Sequence, residues 1–186
     1  MLIQLFDFLK RINMNRAYQS PDPWNRENRI GDIDSAVELV SDQRYGICLD
    51  VGTGIGHYAE RMAKICDKVI AIDISPEAIK KAKKISNVEY QVANIRTYIA
   101  PAQFDLIVLG DVLYYLGDVR FPKEFDKLIA HIYGLLKPMG RILISSRLGF
   151  TQDSHITHFL EQGLKIEKEK IFNDGKRNWK QVVLTN

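Results

Sequence analysis

Apolar residues in this chain fall into two alternating rhythms, short dense runs and stretches with a three-to-four spacing, and the alternation itself predicts the architecture. Leu2, Leu5, Phe6 and Leu9, with Phe8 and Ile12 beside them, recur at helical spacing over 1–17. Pro21 and Pro23 then break any helix over 18–26. A second helix is expected from Asp32 or Asp34 through Val40, with aspartate as its N-cap. Apolar runs at 47–50, 68–73, 88–93, 104–109 and 141–146 read as strands. Helical stretches separate them: one through Tyr58 and Met62 to about 65, one opened by Ser75-Pro76-Glu77, and one over 121–137 that stops at Lys137-Pro138-Met139-Gly140. A last helix over 153–162 ends at Gly163, and two strands, 164–172 and 179–185, flank the hairpin signal Asn173-Asp174-Gly175.

Strands alternating with helices predict an α/β domain, a mostly parallel sheet with helices on both faces. The closing hairpin makes the last strand antiparallel to its partner. Asp50, Asp73, Asn94 and Asp111 each fall at the carboxyl end of a predicted strand. Ligands of open α/β sheets lie there, near the point where strand order reverses.

The first of these ends opens the stretch around which the chain is organised, Asp50-Val51-Gly52-Thr53-Gly54-Ile55-Gly56. Glycines at every second position allow a tight turn and a close backbone approach, and the helix that follows offers free N–H groups to an anion. A dinucleotide loop, G-x-G-x-x-G, would need its third glycine where His57 stands. Asp50 is also a poor neighbour for a pyrophosphate and a good one for an ammonium, so a ligand carrying both amine and carboxylate fits better. The D-x-G-x-G-x-G pattern resembles the first motif of class I S-adenosylmethionine methyltransferases. The resemblance implies their Rossmann-like fold, with seven strands and an antiparallel last strand, and S-adenosylmethionine as cofactor, leaving S-adenosylhomocysteine as product. It further implies that Asp50, Gly52, Thr53, Gly54 and Gly56 face the methionine end. Asp73 would grip the ribose hydroxyls, with Ile74 next to it; Asn94 and Ile95 would contact the adenine, and Gly110 the ligand amine. Asp111 would orient the acceptor, Tyr115 would be the second choice, and Tyr114 would line the same place. Each has a structural alternative: Asp73 as a loop aspartate capping with Ser75, and Asp111 as a helix cap with the tyrosines packed on it.

Asp22-Pro23-Trp24-Asn25, together with Gly-Asp-Val-Leu-Tyr-Tyr-Leu over 110–116, looks like the nodulation protein S group. That group methylates nitrogen on an amino-sugar oligosaccharide, and its N-terminal segment covers the site. The likeness implies a lid over 1–30, with Tyr18 and Trp24 as lid residues, ahead of a cofactor-binding domain over 31–186. The chain departs from the group at Arg26-Glu27-Asn28-Arg29, where an aromatic–acidic pair is usual. Arg147, His155 and His158 follow the fifth strand and overhang the acceptor in this reading, with His155 as a fallback base.

Composition narrows the remaining choices. A chain of 186 residues, 46% hydrophobic, suits one core, and a net charge of +3 with dispersed basic residues gives no pull toward nucleic acid. Lys80, Lys81, Lys83 and Lys84 read as the solvated face of a helix. Two cysteines set up no disulfide framework, and two histidines three apart make no metal site. Asp7, Lys10 and Arg11 interrupt the apolar start, so no membrane span is expected, and a cytoplasmic protein is. No Asn/Asp-Pro-Pro-Tyr or Pro-Cys element follows the fourth strand, which leaves a small-molecule acceptor, methylated on N or O. The amphipathic first helix offers a face for a homodimer. In the alternative, the same fold binds its ligand or another protein without turnover.

Overall fold

The computed structural model describes residues 2–20, 23, 30–117, 122–148 and 152–186. Its helices are α1 (Leu2–Ala17), α2 (Ile30–Glu38), α3 (His57–Ile65), α4 (Pro76–Lys81), α5 (Leu113–Leu116), α6 (Pro122–Gly134) and α7 (Gln152–Glu161). Its strands are β1 (Tyr45–Val51), β2 (Cys66–Asp73), β3 (Val88–Val92), β4 (Phe104–Gly110), β5 (Leu136–Arg147), β6 (Lys165–Asn173) and β7 (Asn178–Thr185). They form one sheet in the order β3-β2-β1-β4-β5-β7-β6. The first five run parallel, and β7 lies antiparallel between β5 and β6. Strand order reverses between β1 and β4, so the loops after these two strands diverge to opposite faces and open a crevice.

Two apolar clusters explain why the sheet is buried on both sides. Leu49, Ile70, Ile107 and Ile144 meet Phe125, Ile129 and Phe159 of α6 and α7, all within 3% of complete burial. On the other face Cys48, Val69, Leu106 and Val183 meet Ile33, Ala36 and Met62 of α2 and α3. Alternation along β1 therefore turns Asp50, 1% exposed, toward the α2 and α3 face.

Three boundaries differ from expectation. Helix α2 begins at Ile30, so Asp32 lies within its first turn instead of capping it, and its carbonyl accepts from Gln181 Nε2 at 2.8 Å. Helix α6 stops at Gly134 and β5 starts at Leu136, five residues ahead of the predicted strand. The segment expected to end the helix is a bulge instead: Phe104 pairs with Leu136 but Leu106 with Arg141, and Met139 takes φ 62 to make the excursion. Helix α4 is only six residues long, so Lys83 and Lys84 fall beyond it.

Helix α1 lies over the carboxyl ends of the strands. Its outward stripe, Leu5, Phe8, Leu9 and Ile12, is 47–58% exposed, and that is the face the homodimer expectation would use. Among the described residues no helix is long and apolar enough to cross a membrane, and no group of three or more His, Cys, Asp or Glu is placed to hold a metal ion.

Candidate active site

The crevice is an open cavity of about 730 Å³, within the range of small-molecule sites. Its wall carries Gly52, Thr53, Gly54, Asp73, Ile74, Asn94, Ile95, Gly110, Asp111, Tyr114, Tyr115 and Tyr18. Twelve residues singled out in the sequence thus meet in one place. Asp50, Gly56 and His155 are not on that wall. Trp24 lies outside the described residues.

The loop after β1 is held by its own hydrogen bonds. Gly52 and Thr53 donate their N–H groups to the Ile72 carbonyl at 2.8 and 3.0 Å, Gly54 to Asp73 Oδ2 at 2.9 Å, and Gly56 to the Thr53 carbonyl at 2.9 Å. Most of the loop's backbone donors are therefore engaged within the protein, contrary to the anion cradle the sequence suggested. What the loop offers instead is a side chain: Thr53 Oγ1 is buried at the wall with no hydrogen-bond partner among the described residues. A buried hydroxyl left unpaired is costly, and a polar ligand group in the cavity would satisfy it.

Gly54 and Gly56 are glycines for different reasons. Gly54 has φ 57, and a Cβ there would stand 2.6 Å from Tyr18 Oη, so it makes room for the Tyr18 ring. Gly56 has φ 94 and caps α3; its Cβ would stand 2.5 Å from the Tyr90 hydroxyl. Gly56 thus serves packing beneath Tyr90. Burial of that phenol, with the Asp50 and Glu60 charges nearby, pushes its pKa up to about 12.

Asp73, 7% exposed, ends β2 with both oxygens engaged on one side: Oδ2 accepts from Gly54 N–H, and Oδ1 from Ser75 N–H at 2.8 Å. The structural alternative to a ligand role is thus present here, since Ser75 also caps α4 by accepting from Ala78 N–H. Yet a carboxylate has about four acceptor sites, and this one lines the cavity. Burial raises its pKa, opposed by the backbone donors of Ser75, Gly54 and Ile74. Asn94 is likewise engaged: Oδ1 accepts from Arg96 N–H, and Nδ2 donates to Asp7 Oδ2 at 3.0 Å.

Asp111 stands at the end of β4 with φ 53, one of two non-glycine residues in the left-handed region among the described residues. Such a conformation costs of order 1–3 kcal/mol in general, less for aspartate than for most. It is held by Asp111 N–H donating to the Ser145 carbonyl at 2.6 Å and by Oδ1 accepting from Arg147 N–H at 3.2 Å. Tyr114 and Tyr115 follow, their rings 4.3 Å apart. His155 packs on Phe125, ring centroids 4.9 Å apart, and against Gly117; burial and then His158 lower its pKa. It is therefore not brought to the site as a fallback base.

The inner face of α1 borders the cavity, and although the resemblance implied a lid over 1–30, sequence reading singled out for the site none of the α1 residues that line the wall. Asp7, Lys10 and Met14 line the wall beside Tyr18. Asp7 pairs with Arg96 at 3.6 Å, Lys10 Nζ donates to the Tyr115 carbonyl, and Ser75 Oγ donates to Asn15 Oδ1 at 2.7 Å. Lys81, expected on a solvated face, donates to the carbonyls of Tyr18 and Ser20. The only signal available was that α1 carries the polar residues Asp7, Lys10 and Asn15 off its exposed apolar stripe.

With this geometry in place, comparison with known proteins decides the family. The methyltransferase-domain family matches residues 49–144, more than half of the chain. The chain belongs to that family. Within it, nodulation protein S of Rhizobium tropici is 26% identical over 141 residues, covering 72% of this chain and 58% of the relative. The ubiquinone biosynthesis O-methyltransferase of Xylella fastidiosa is 36% identical over 105 residues, covering 53% and 40%. The matched stretch thus spans less than two thirds of either relative's length. The crystal structure of N-methyltransferase NodS from Bradyrhizobium japonicum WM9, in complex with S-adenosylhomocysteine, superposes with a TM-score of 0.80 over 95% of this chain and 97% of that one. At 21% identity this likeness establishes the fold: a methyltransferase sheet with its antiparallel β7. The methyl donor of the class I family is S-adenosylmethionine.

Proposed function

We propose that this methyltransferase-family chain binds S-adenosylmethionine in the cavity and directs its methyl group to a nitrogen or oxygen of a small molecule. The observation that carries the reading is the pairing of Gly54 with Asp73 at the wall of an open crevice where strand order reverses. In this reading the unused lone pairs of Asp73 accept both ribose hydroxyls, a charge-assisted bidentate contact. Thr53 Oγ1 and the Gly110 backbone meet the aminoacyl end, and Ile74, Asn94 and Ile95 border the adenine. The chemistry supplied by the bound cofactor is an electrophilic sulfonium methyl group. The protein's part is then alignment. The Asp111 carboxylate accepts a hydrogen bond from the acceptor N–H or O–H and aims its lone pair, while Tyr114, Tyr115 and Leu116 confine it and exclude water. Tyr18 and α1 form the lid, within an N-terminal segment over 1–30 that includes Trp24.

The relatives named nodulation protein S and N-methyltransferase NodS support nitrogen on an amino sugar or oligosaccharide as acceptor, and the O-methyltransferase relative supports a wider range. Transfer of radiolabelled methyl from S-adenosylmethionine into the small-molecule fraction of a cell extract tests the function. Labelled product that disappears with Asp111→Asn supports it. Tight cofactor binding with no transfer to any fraction would point to a non-catalytic binding module.

A further inference from the structure

The cofactor reading uses the part of the cavity beneath β1, β2 and β3. The opposite part, beneath β4, β5 and β7, is walled by Asp111, Tyr114, Tyr115 and Leu148 together with two cations, Arg147 and Arg177. Arg147 ends β5, and Arg177 immediately precedes β7. Pairing of Arg147 with Trp179 and the Leu148 N–H bond to the Asn178 carbonyl at 2.9 Å bring the two to one rim.

Among the described arginines without a carboxylate partner, which include Arg11 and Arg16 of α1, these two alone lie on the cavity wall, and four others are paired. Arg44, Arg61, Arg96 and Arg141 each lie within 4 Å of a carboxylate, on Asp67, Asp34, Asp7 and Asp42 respectively. Neither guanidinium of Arg147 or Arg177 has a carboxylate or hydrogen-bond acceptor among the described residues; only their backbones are bonded, to Asp111 and Asp174. Asp111, an acid of the same wall, takes the Arg147 peptide N–H. Two unneutralised guanidinium groups on one wall of a concave site concentrate positive potential there, and the planar guanidinium fork suits an oxyanion.

We infer that the methyl acceptor is itself anionic, carrying a carboxylate or phosphate group that Arg147 and Arg177 read while Asp111 orients the nitrogen or oxygen to be methylated. This rests on the cofactor reading above and adds to it the charge class of the substrate. Arg147 and Arg177 would then set specificity without taking part in the displacement. Asp111 and the arginines would bind opposite ends of one molecule, so an acceptor with an amine or hydroxyl at one end and an anion at the other is favoured over a neutral amine.

The test titrates the full chain, saturated with S-adenosylhomocysteine, with probes matched except for the anion: ethanolamine against phosphoethanolamine, glucosamine against its 6-phosphate, and propylamine against β-alanine. At least one anionic probe should bind roughly tenfold or more tighter than its neutral partner, as expected for charge-assisted contacts, and the margin should shrink with added salt. The phosphate and carboxylate arms tell the two oxyanions apart. The double variant R147Q/R177Q should bring that ratio close to one while S-adenosylhomocysteine binds as before. Absence of any anionic preference, including binding of no probe, overturns the inference, as does a preference that survives the double variant. A tenfold loss of S-adenosylhomocysteine affinity in R147Q would also overturn it, by assigning the arginines to the cofactor. A wild-type chain that fails to bind S-adenosylhomocysteine refutes the cofactor reading itself, a result distinct from all of these.

Discussion

The two ends of the sheet both carry polar side chains and engage them in different ways. At the amino ends of the parallel strands, charges are consumed by one another. Arg141 binds Asp42 at 2.7 Å, Glu167 and the Tyr45 hydroxyl, and Lys168 adds a second bond to Asp42. Asp105 takes Lys137 and the Ile47 N–H. At the carboxyl ends the acceptors are fixed by backbone donors from neighbouring loops: Asp73 by Gly54 and Ser75, Asn94 by Arg96, Asp111 by Arg147. Backbone donors orient a carboxylate without neutralising its charge, whereas an ion pair does both. Polar groups at the amino end therefore neutralise one another, whereas the hydrogen bonds that hold Asp73 at the carboxyl end come from backbone donors that leave its charge in place.

That contrast breaks or sharpens under substitution, the largest effects being expected on catalysis. Asp111→Asn keeps a residue tolerant of φ 53 but removes the charge. Methyl transfer should fall roughly a hundredfold or more, with S-adenosylhomocysteine affinity and urea midpoint little changed. Equal losses in binding and stability would make Asp111 a structural cap. Gly54→Val meets both φ 57 and the Tyr18 hydroxyl, so ligand affinity should drop about tenfold as the loop and Tyr18 part, an effect of roughly 1.4 kcal/mol. Calorimetry reads the loss, and limited proteolysis of α1 reads the parting.

At the other end, Arg141→Met should lower stability by about 1–3 kcal/mol and leave S-adenosylhomocysteine affinity alone. The pH dependence has a definite sign. Arg141 and Lys168 hold the Asp42 carboxyl down to about 2. Its contribution is thus complete above the ordinary carboxylate pKa and is lost as pH falls from there through about 2. Urea midpoints between neutral pH and pH near 2 should show less acid sensitivity in Arg141→Met than in wild type. Asp73 behaves in the opposite sense. Burial raises its pKa, so its ionisation weighs against the free fold as pH rises through that value, and hydroxyl donors from a ligand would relieve this. S-Adenosylhomocysteine affinity should then be full at neutral pH and weaken on acidification through the raised pKa. The smallest effect is expected from Lys81→Met, which removes the tie to Tyr18 and Ser20: well under about 1 kcal/mol in stability, read as faster amide exchange in α1.

The carboxyl-end residues were legible because they are local. A strand that closes on Asp73, Asn94 or Asp111 and a loop spaced as Gly52, Gly54 and Gly56 announce themselves within a few positions. What the sequence hid was long-range. Asp7 meets Asn94 and Arg96, Lys10 meets Tyr115, and Lys81 meets Tyr18, all pairs 63 or more positions apart; on a helix such residues look like any solvated face. Arg177 looked like part of a hairpin turn, and its place on the cavity wall follows only from β7 running back beside β5. Gly56 fits the loop pattern, but its absent Cβ makes way for Tyr90.

The most direct test is a calorimetric titration of S-adenosylhomocysteine into the wild-type chain and into Asp73→Ala, with Asp73→Asn as the variant that keeps one acceptor. Loss of two charged hydrogen bonds predicts an affinity at least roughly a hundredfold weaker in Asp73→Ala, with Asp73→Asn between the two. A folded Asp73→Ala chain that binds as tightly as the wild type would contradict the account.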